Sequence, residues 1–276
     1  MSSPCAFLQP QIMGILNVTP DSFYDGGRYS TLEKQLTHAR KMLEEGATII
    51  DVGGESTRPG AEEVSAQEEC DRVLPLIESL RQESDCLISI DSRKTLVMQA
   101  ALQAGANFVN DVNALLDDQA IALVSKAKVP VCLMHAKGSP KTMQKTPFYE
   151  NVVEEVGQYL LSRAKTCEQS GILPENIILD PGFGFGKTLQ HNLQLLKHLE
   201  KITALNYPVL IGVSRKSMFG QILGEDLDAR LIGSIAASVM ALQKGATIIR
   251  AHDVAKTLEA VKIFDAIEAS DKKTEH

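Results

Sequence analysis

Eight short runs of this chain are apolar at nearly every position, and the stretches between them carry apolar residues at helical spacing. The runs lie in "IMGILN" (12–17), "EEGATIID" (44–51), "CLISID" (86–91), "QAGANFVND" (103–111), "VCLMH" (131–135), "IILD" (177–180), "VLIGVS" (209–214) and "QKGATIIR" (243–250). Between them lie segments such as "TLEKQLTHARKMLEE" (31–45) and "NVVEEVGQYLLSRAKTCEQS" (151–170). Strands apolar on both faces that alternate with amphipathic helices predict a parallel sheet covered by helices. Eight such units fit an α/β fold of the (β/α)8 TIM-barrel type, closed in a single domain, better than an open sheet. The expected boundaries are an N-terminal extension over 1–10, the barrel over 11–268, and a disordered tail over 269–276.

Three of the units share one plan. In 44–51, 103–111 and 243–250 a helical stretch meets Gly, then Ala, then a β-rich run. Glycine takes the left-handed conformation cheaply, so each Gly is expected to stop a helix and launch a strand.

The eight runs all stop on a polar or ionisable residue: Asn17, Asp51, Asp91, Asn110, His135, Asp180, Ser214 and Arg250. Polar residues mark any strand's exit into solvent, but in a barrel the exits converge on the face where active sites are built. The series predicts one polar-lined pocket. Two loops rich in turn residues, "NVTPDSFYDGGR" (17–28) and "GGESTRPGAE" (53–62), follow the first two strands and are expected to act as lids. Arg215, Lys216, Arg250 and His252 add cations near the last two strands, where barrels commonly bind phosphate. Asp91, Asn110 and Asp180 offer acceptors and an amide suited to a ring edge bearing N–H donors. The predicted ligand therefore has a donor-rich ring at one end and phosphate at the other.

Composition narrows the setting. A net charge of −7 disfavours non-specific binding to nucleic acid or membrane surfaces. No apolar run approaches membrane-spanning length, and the N-terminus lacks the pattern of a secretory signal. The five cysteines contain no C-x-x-C pair, which points to a reducing, cytoplasmic compartment rather than a metal cage. No G-x-S-x-G elbow or H-E-x-x-H motif is present; His135 could serve as a base, or as a structural hydrogen-bonding residue. "DPGFGFGKT" (180–188) matches the end of a P-loop, but Pro181 stands where the first glycine belongs. Asp180 is read as its functional residue, with Lys187 and Thr188 simply beginning the next helix.

Taken together, "GILNVTPDSFYDGG", "IDVGGESTRPGA", "NDV", "DPGFGFGK", "GVSRKSMFG" and "IIRAHDV" resemble the dihydropteroate synthases of folate biosynthesis, over residues 11 to 265. The resemblance implies condensation of 6-hydroxymethyl-7,8-dihydropterin diphosphate with 4-aminobenzoate, with Mg²⁺ as cofactor and sulfonamides as inhibitors. By similarity, Asp91, Asn110, Asp180 and Lys216 would bind the pterin. Asn17, Thr57, Arg250 and His252 would bind the diphosphate, with Asn17 also holding the metal. Phe23, Asp25, Thr57, Arg58, Pro59, Phe185 and Ser214 would form the aminobenzoate site. Asp91, Asp180, Lys216, Arg250 and Asn17 would be the catalytic set. A dissociative substitution, in which diphosphate leaves before the amine attacks, would explain the missing nucleophile. Family resemblance also implies a homodimer. Competing readings are a corrinoid-type pterin methyltransferase domain, a non-catalytic pterin-binding paralogue and a P-loop NTPase. The first would not need the two loops, and the second would predict loss of Asn17, Arg58 or Lys216, which are all present.

Overall fold

The computed structural model describes residues 7, 9–18, 28–55, 63–138, 147–224 and 227–270. Eight strands form one parallel sheet: β1 (Gln11–Asn17), β2 (Ile49–Gly53), β3 (Leu87–Asp91), β4 (Phe108–Asp111), β5 (Val131–Met134), β6 (Ile177–Asp180), β7 (Leu210–Ile211) and β8 (Ile248–Ala251). Each is followed by helix. These helices are α1 (Arg28–Glu44), α2 (Ala66–Glu83), α3 (Thr95–Ala104), α4 (Asp118–Ala127), α5 (Val152–Gln169), the pair α6 (Leu189–Lys197) and α7 (Glu200–Thr203), the pair α8 (Ser217–Leu223) and α9 (Leu227–Gln243), and α10 (Val254–Glu268). The strand order is β6-β5-β4-β3-β2-β1-β8-β7, and a parallel bridge between Leu179 and Val209 joins the two ends. The sheet is thereby closed into the expected barrel.

The Gly-Ala launchers work as read. Gly46, Gly105 and Gly245 have φ of 100°, 114° and 89°. In each unit the next alanine N–H reaches back five residues, Ala47 to Met42, Ala106 to Ala101 and Ala246 to Ala241, at 2.9 to 3.0 Å. This is the six-to-one bond that satisfies a helix's last carbonyls while turning the chain.

Strand residues alternate between the two faces of a sheet, so the barrel has two apolar regions. Outward residues such as Ile12, Ile50, Ile88, Val109, Leu133, Leu179 and Ile249 pack under the helices in the larger cluster. Inward residues Met13, Ile49, Phe108, Cys132, Ile178, Leu210 and Ile248 form a separate floor inside the barrel. Phe7, from the segment read as an extension, closes that floor from below with its ring edge-on to Phe108 at 6.0 Å.

Candidate active site

Two residues beyond the floor, the same inward face changes character. Stepping by two from Ile49, Phe108, Ile178 and Ile248 gives Asp51, Asn110, Asp180 and Arg250. A further step from Ile15 and Ser89 gives Asn17 and Asp91. Register draws several of these together, since Asn17 pairs with Gly53, Gly53 with Asp91 and Asp91 with Asn110. The polar residues thus share one chamber because strand periodicity is two and the sheet is closed.

A single guanidinium organises that chamber. Arg250 donates from Nε to Asp51 Oδ2 at 2.6 Å and from Nη2 to Asp91 Oδ2 at 2.7 Å. Asn110 Nδ2 donates to the same Asp51 oxygen at 3.1 Å, while Asp51 Oδ1 has no partner. Burial pushes Asp91 up to about 7; Arg250 opposes the rise, and the Asp51 and Glu69 carboxylates add to it. Asp180 also lies above the usual carboxylate range because of burial, although it accepts the Gly182 N–H at 2.7 Å and feels Lys216. Lys216 is lowered to about 8 by burial and by Arg250, against the pull of Asp180 and Asp91. Its Nζ stands 4.4 Å above the centre of the Phe185 ring, a cation–π contact. Asp91, Asn110, Asp180, Lys216 and Arg250 line one opening together with apolar walls from Val112, Met134, Phe183 and Phe185. Such a slot suits a flat ring whose edge carries both donors and acceptors.

The other sequence-derived positions fall into groups. Asn17 is half-buried at the end of β1, and its Oδ1 and Asp91 Oδ2 each come within 3.6 Å of the point where a Cβ on Gly53 would sit. Ser214 and His252 meet at the β7 and β8 exits, with Oγ to Nδ1 at 3.0 Å and the His252 N–H donating to Oγ at 3.1 Å. Arg215 forks onto Asp253. His135 follows an inward Met134 and therefore points outward. Its ring lies edge-on to Tyr159, and burial together with Lys187 holds it down to about 3, so it stays neutral and away from the opening. Phe23, Asp25, Thr57, Arg58 and Pro59 lie outside the described residues, as does the tail from 271.

Thr188 caps α6 through a capping box with His191, as a helix-starting residue should. Three features escaped the sequence. Lys187 does more than begin that helix: it is 2% exposed, with its Nζ inside the Gly-rich loop. Ser217, three residues beyond Ser214, lines a cavity beside the slot with Gly184 and Lys216. Arg93 bridges the stems of the loop after β2, reaching Glu55 Oε2 at 3.3 Å and Glu63 at 2.6 Å. A charge pair across a loop's base leaves no periodic signal, and nothing short of the fold would have found it.

Similarity to known proteins agrees with this geometry. A family model described as "Pterin binding enzyme" matches residues 13–252. A dihydropteroate synthase of Haemophilus influenzae is 53% identical over 257 residues, covering 93% of this chain and 94% of that protein. The Yersinia pestis dihydropteroate synthase, solved with a sulfonamide drug complex, superposes with a TM-score of 0.89 at 48% identity, covering 95% of each chain. The Xanthomonas albilineans dihydropteroate synthase, solved with 4-aminobenzoic acid, gives 0.89 at 45% identity, covering 95% of this chain and 94% of that one. With its polar layer, its closed barrel and these relatives, the chain belongs to the dihydropteroate synthase family of pterin-binding enzymes.

Proposed function

We propose that this enzyme joins 6-hydroxymethyl-7,8-dihydropterin diphosphate to 4-aminobenzoate, giving 7,8-dihydropteroate and pyrophosphate. The observation that carries the reading is the chamber above the barrel floor, where Asp180, Asp91, Asn110 and Lys216 present acceptors and donors to one flat slot. Asp180 takes the 2-amino and N3–H edge of the pterin. Asn110 and Asp91 meet the remaining ring nitrogens, and Lys216 meets the O4 and N5 side. Arg250, His252, Asn17 and Thr57 hold the diphosphate at the rim. Arg250 keeps Asp51 and Asp91 as partners through Nε and Nη2, which leaves Nη1 to meet the ligand.

The chemistry needs no protein nucleophile. The methylene C–O bond breaks with its electron pair leaving on pyrophosphate, and the dihydropterin delocalises the resulting cation. The neutral aromatic amine then attacks the methylene carbon, forms the C–N bond and loses a proton. The chain's part is to stabilise charge at both ends and align the amine. Asp91 and Asp180 lie beside the electron-poor ring, and Arg250 and His252 beside the departing anion. Phe185 walls the aminobenzoate, and Ser214, with its neighbour Ser217 at the cavity, lies on the side where the aminobenzoate carboxylate would be received. Phe23, Asp25, Arg58 and Pro59 complete that site from the two loops.

The donors suit Mg²⁺, which retains most of its waters and takes one or two protein oxygens beside substrate phosphates. Asn17 Oδ1 would hold it, with Asp91 Oδ2 facing the same space across Gly53. When bound, the ion would neutralise charge on the departing diphosphate. We also place the enzyme in the cytoplasm as a homodimer. The free thiols Cys70, Cys86, Cys132 and Cys167 support the compartment, and exposed Ile222, Leu223 and Ile232 on α8 and α9 support a self-associating face.

Incubation with both substrates and Mg²⁺ tests the reading. Pyrophosphate release should require both aminobenzoate and the pterin diphosphate, and a sulfonamide should raise the KM for aminobenzoate without lowering kcat. Turnover of ATP instead, or no condensation by folded protein, would refute it.

A further inference from the structure

Lys187 is the most deeply buried lysine of the described residues, and among them no carboxylate lies within bonding distance of its Nζ. Instead its N–H donors are shared among three carbonyls, Gly182 O at 2.9 Å, Phe185 O at 3.1 Å and His135 O at 3.3 Å, with His135 Nδ1 at 2.9 Å. Burying a cation without an ion pair is costly, and burial lowers Lys187 to about 7; a cage of carbonyl dipoles offsets the cost of the charged form only while the cage keeps its shape. The cage is built by the chain's own sequence. Gly182, Gly184 and Gly186 have φ of 67°, 81° and 64°, so the loop coils around one interior point. A Cβ on Gly182 would sit 1.9 Å from His135 O, and one on Gly186 would sit 2.2 Å from Lys137 O. The loop therefore packs its backbone directly against the exit of β5 at Gly182 and Gly186. The His135 ring, held neutral by burial and Lys187, meets Nζ through Nδ1.

Two bonds of the cage, those to Gly182 and Phe185, have a counterpart in the ligand slot. Gly182 gives its carbonyl to Lys187 and its N–H to Asp180 Oδ1 at 2.7 Å, so one residue links the buried amino group to the pterin-reading carboxylate. Phe185 gives its carbonyl to Lys187 while its ring lies under Lys216 and lines the slot. Gly186 is pinned alongside by the Tyr149 hydroxyl at 2.9 Å. We propose that Lys187 is a positioning residue for condensation, fixing the 182–186 loop so that Asp180 presents a preformed edge to the pterin and Phe185 a preformed wall to the aminobenzoate beside it. It acts from behind the slot and does not touch substrate. The proposal rests on the assignment of Asp180 to the pterin given above.

Lys187→Met removes the charge and all four contacts. Lys187→Gln keeps two N–H donors on a shorter, neutral chain and is the milder change. Both are compared with wild type and Asp180→Asn in the full-length protein, at a temperature where far-UV circular dichroism shows each folded. A positioning role raises the KM for the pterin diphosphate at least tenfold in Lys187→Met, about 1.4 kcal/mol, with a smaller rise in Lys187→Gln. A structural role alone would lower Tm and leave both KM values and kcat within twofold of wild type, and that result in either folded variant overturns the proposal. If Asp180→Asn loses pterin binding while the Lys187 variants keep it, only the positioning claim fails. If Asp180→Asn binds pterin normally, the underlying assignment fails as well.

Discussion

Arg250→Met tests whether one guanidinium holds the polar layer together. The substitution keeps most of the side chain's apolar bulk and removes two charge pairs at 2.6 and 2.7 Å. Asp51 is fully buried, its Oδ1 already lacks a partner, and after the change Oδ2 keeps only the Asn110 amide. Breaking buried pairs from one side costs about 3–5 kcal/mol, within the stability of a typical domain at about 5–15 kcal/mol, so the variant should fold. The loss should also depend on pH. Asp91 stands near 7 in the folded chain, above its ordinary 3.8, so the folded state binds the extra proton and its contribution to stability falls as pH rises through 7. Arg250 opposes that upward shift, so its removal drives Asp91 higher still. At pH 5.5 Asp91 is protonated in both proteins and adds nothing to the difference. At pH 8 only the variant holds the proton, and the deficit grows by about 1.4 kcal/mol for the one unit between 7 and 8. Urea denaturation at the two pH values measures both quantities, followed by far-UV circular dichroism because the chain has no Trp. A deficit under 1 kcal/mol, or one that shrinks at pH 8, would refute the reasoning.

Two further outcomes are expected. Asp180→Asn should weaken pterin binding by about 100-fold or more, because an amide turns one acceptor into a donor facing ring N–H groups, each such bond being worth about 1.5–3 kcal/mol; calorimetric titration with a pterin checks it, and unchanged affinity sinks the assignment. Lys94→Met should destabilise the fold by about 3–5 kcal/mol. It strands Glu69, which is 0% exposed and bonded to Lys94 at 2.6 Å. The double variant Lys94→Met/Glu69→Met should recover most of that loss in denaturant titrations.

The barrel was legible because its rules are local and repeat. Apolar runs, helical spacing and a Gly-Ala launcher each recur within a few residues, and the structure uses them as read. The site was legible for a related reason: inward residues recur every two positions, so a polar residue breaking an apolar run shows where the chamber lies. The same parity separates His135 from the set, since Met134 is the inward neighbour on β5. It was hidden because both faces of the run are apolar. β2 continues two residues past Asp51, and β7 ends three residues before Ser214, so the last polar residue of a run is a poor guide to where pairing stops. Lys187 was illegible for a different reason. A lysine after glycines reads as the start of a helix, and only the left-handed turns, which bring distant carbonyls to one point, make it an interior residue.

The floor of Met13, Ile49, Phe108, Cys132 and Ile178, closed below by Phe7, makes the barrel a cup with a single mouth. Asp180, Asp91 and Asn110 sit just above the floor, whereas Ser217 belongs to the start of α8, outside the last strands. Traffic through one opening has an order. A ring destined for the inner carboxylates must be seated before anything fills the outer side, and an occupant of the outer side bars its exit. With the pterin at the inner carboxylates, as proposed, the cup predicts a queue for its two substrates, and a joined product spanning both depths that withdraws whole before the next pterin enters.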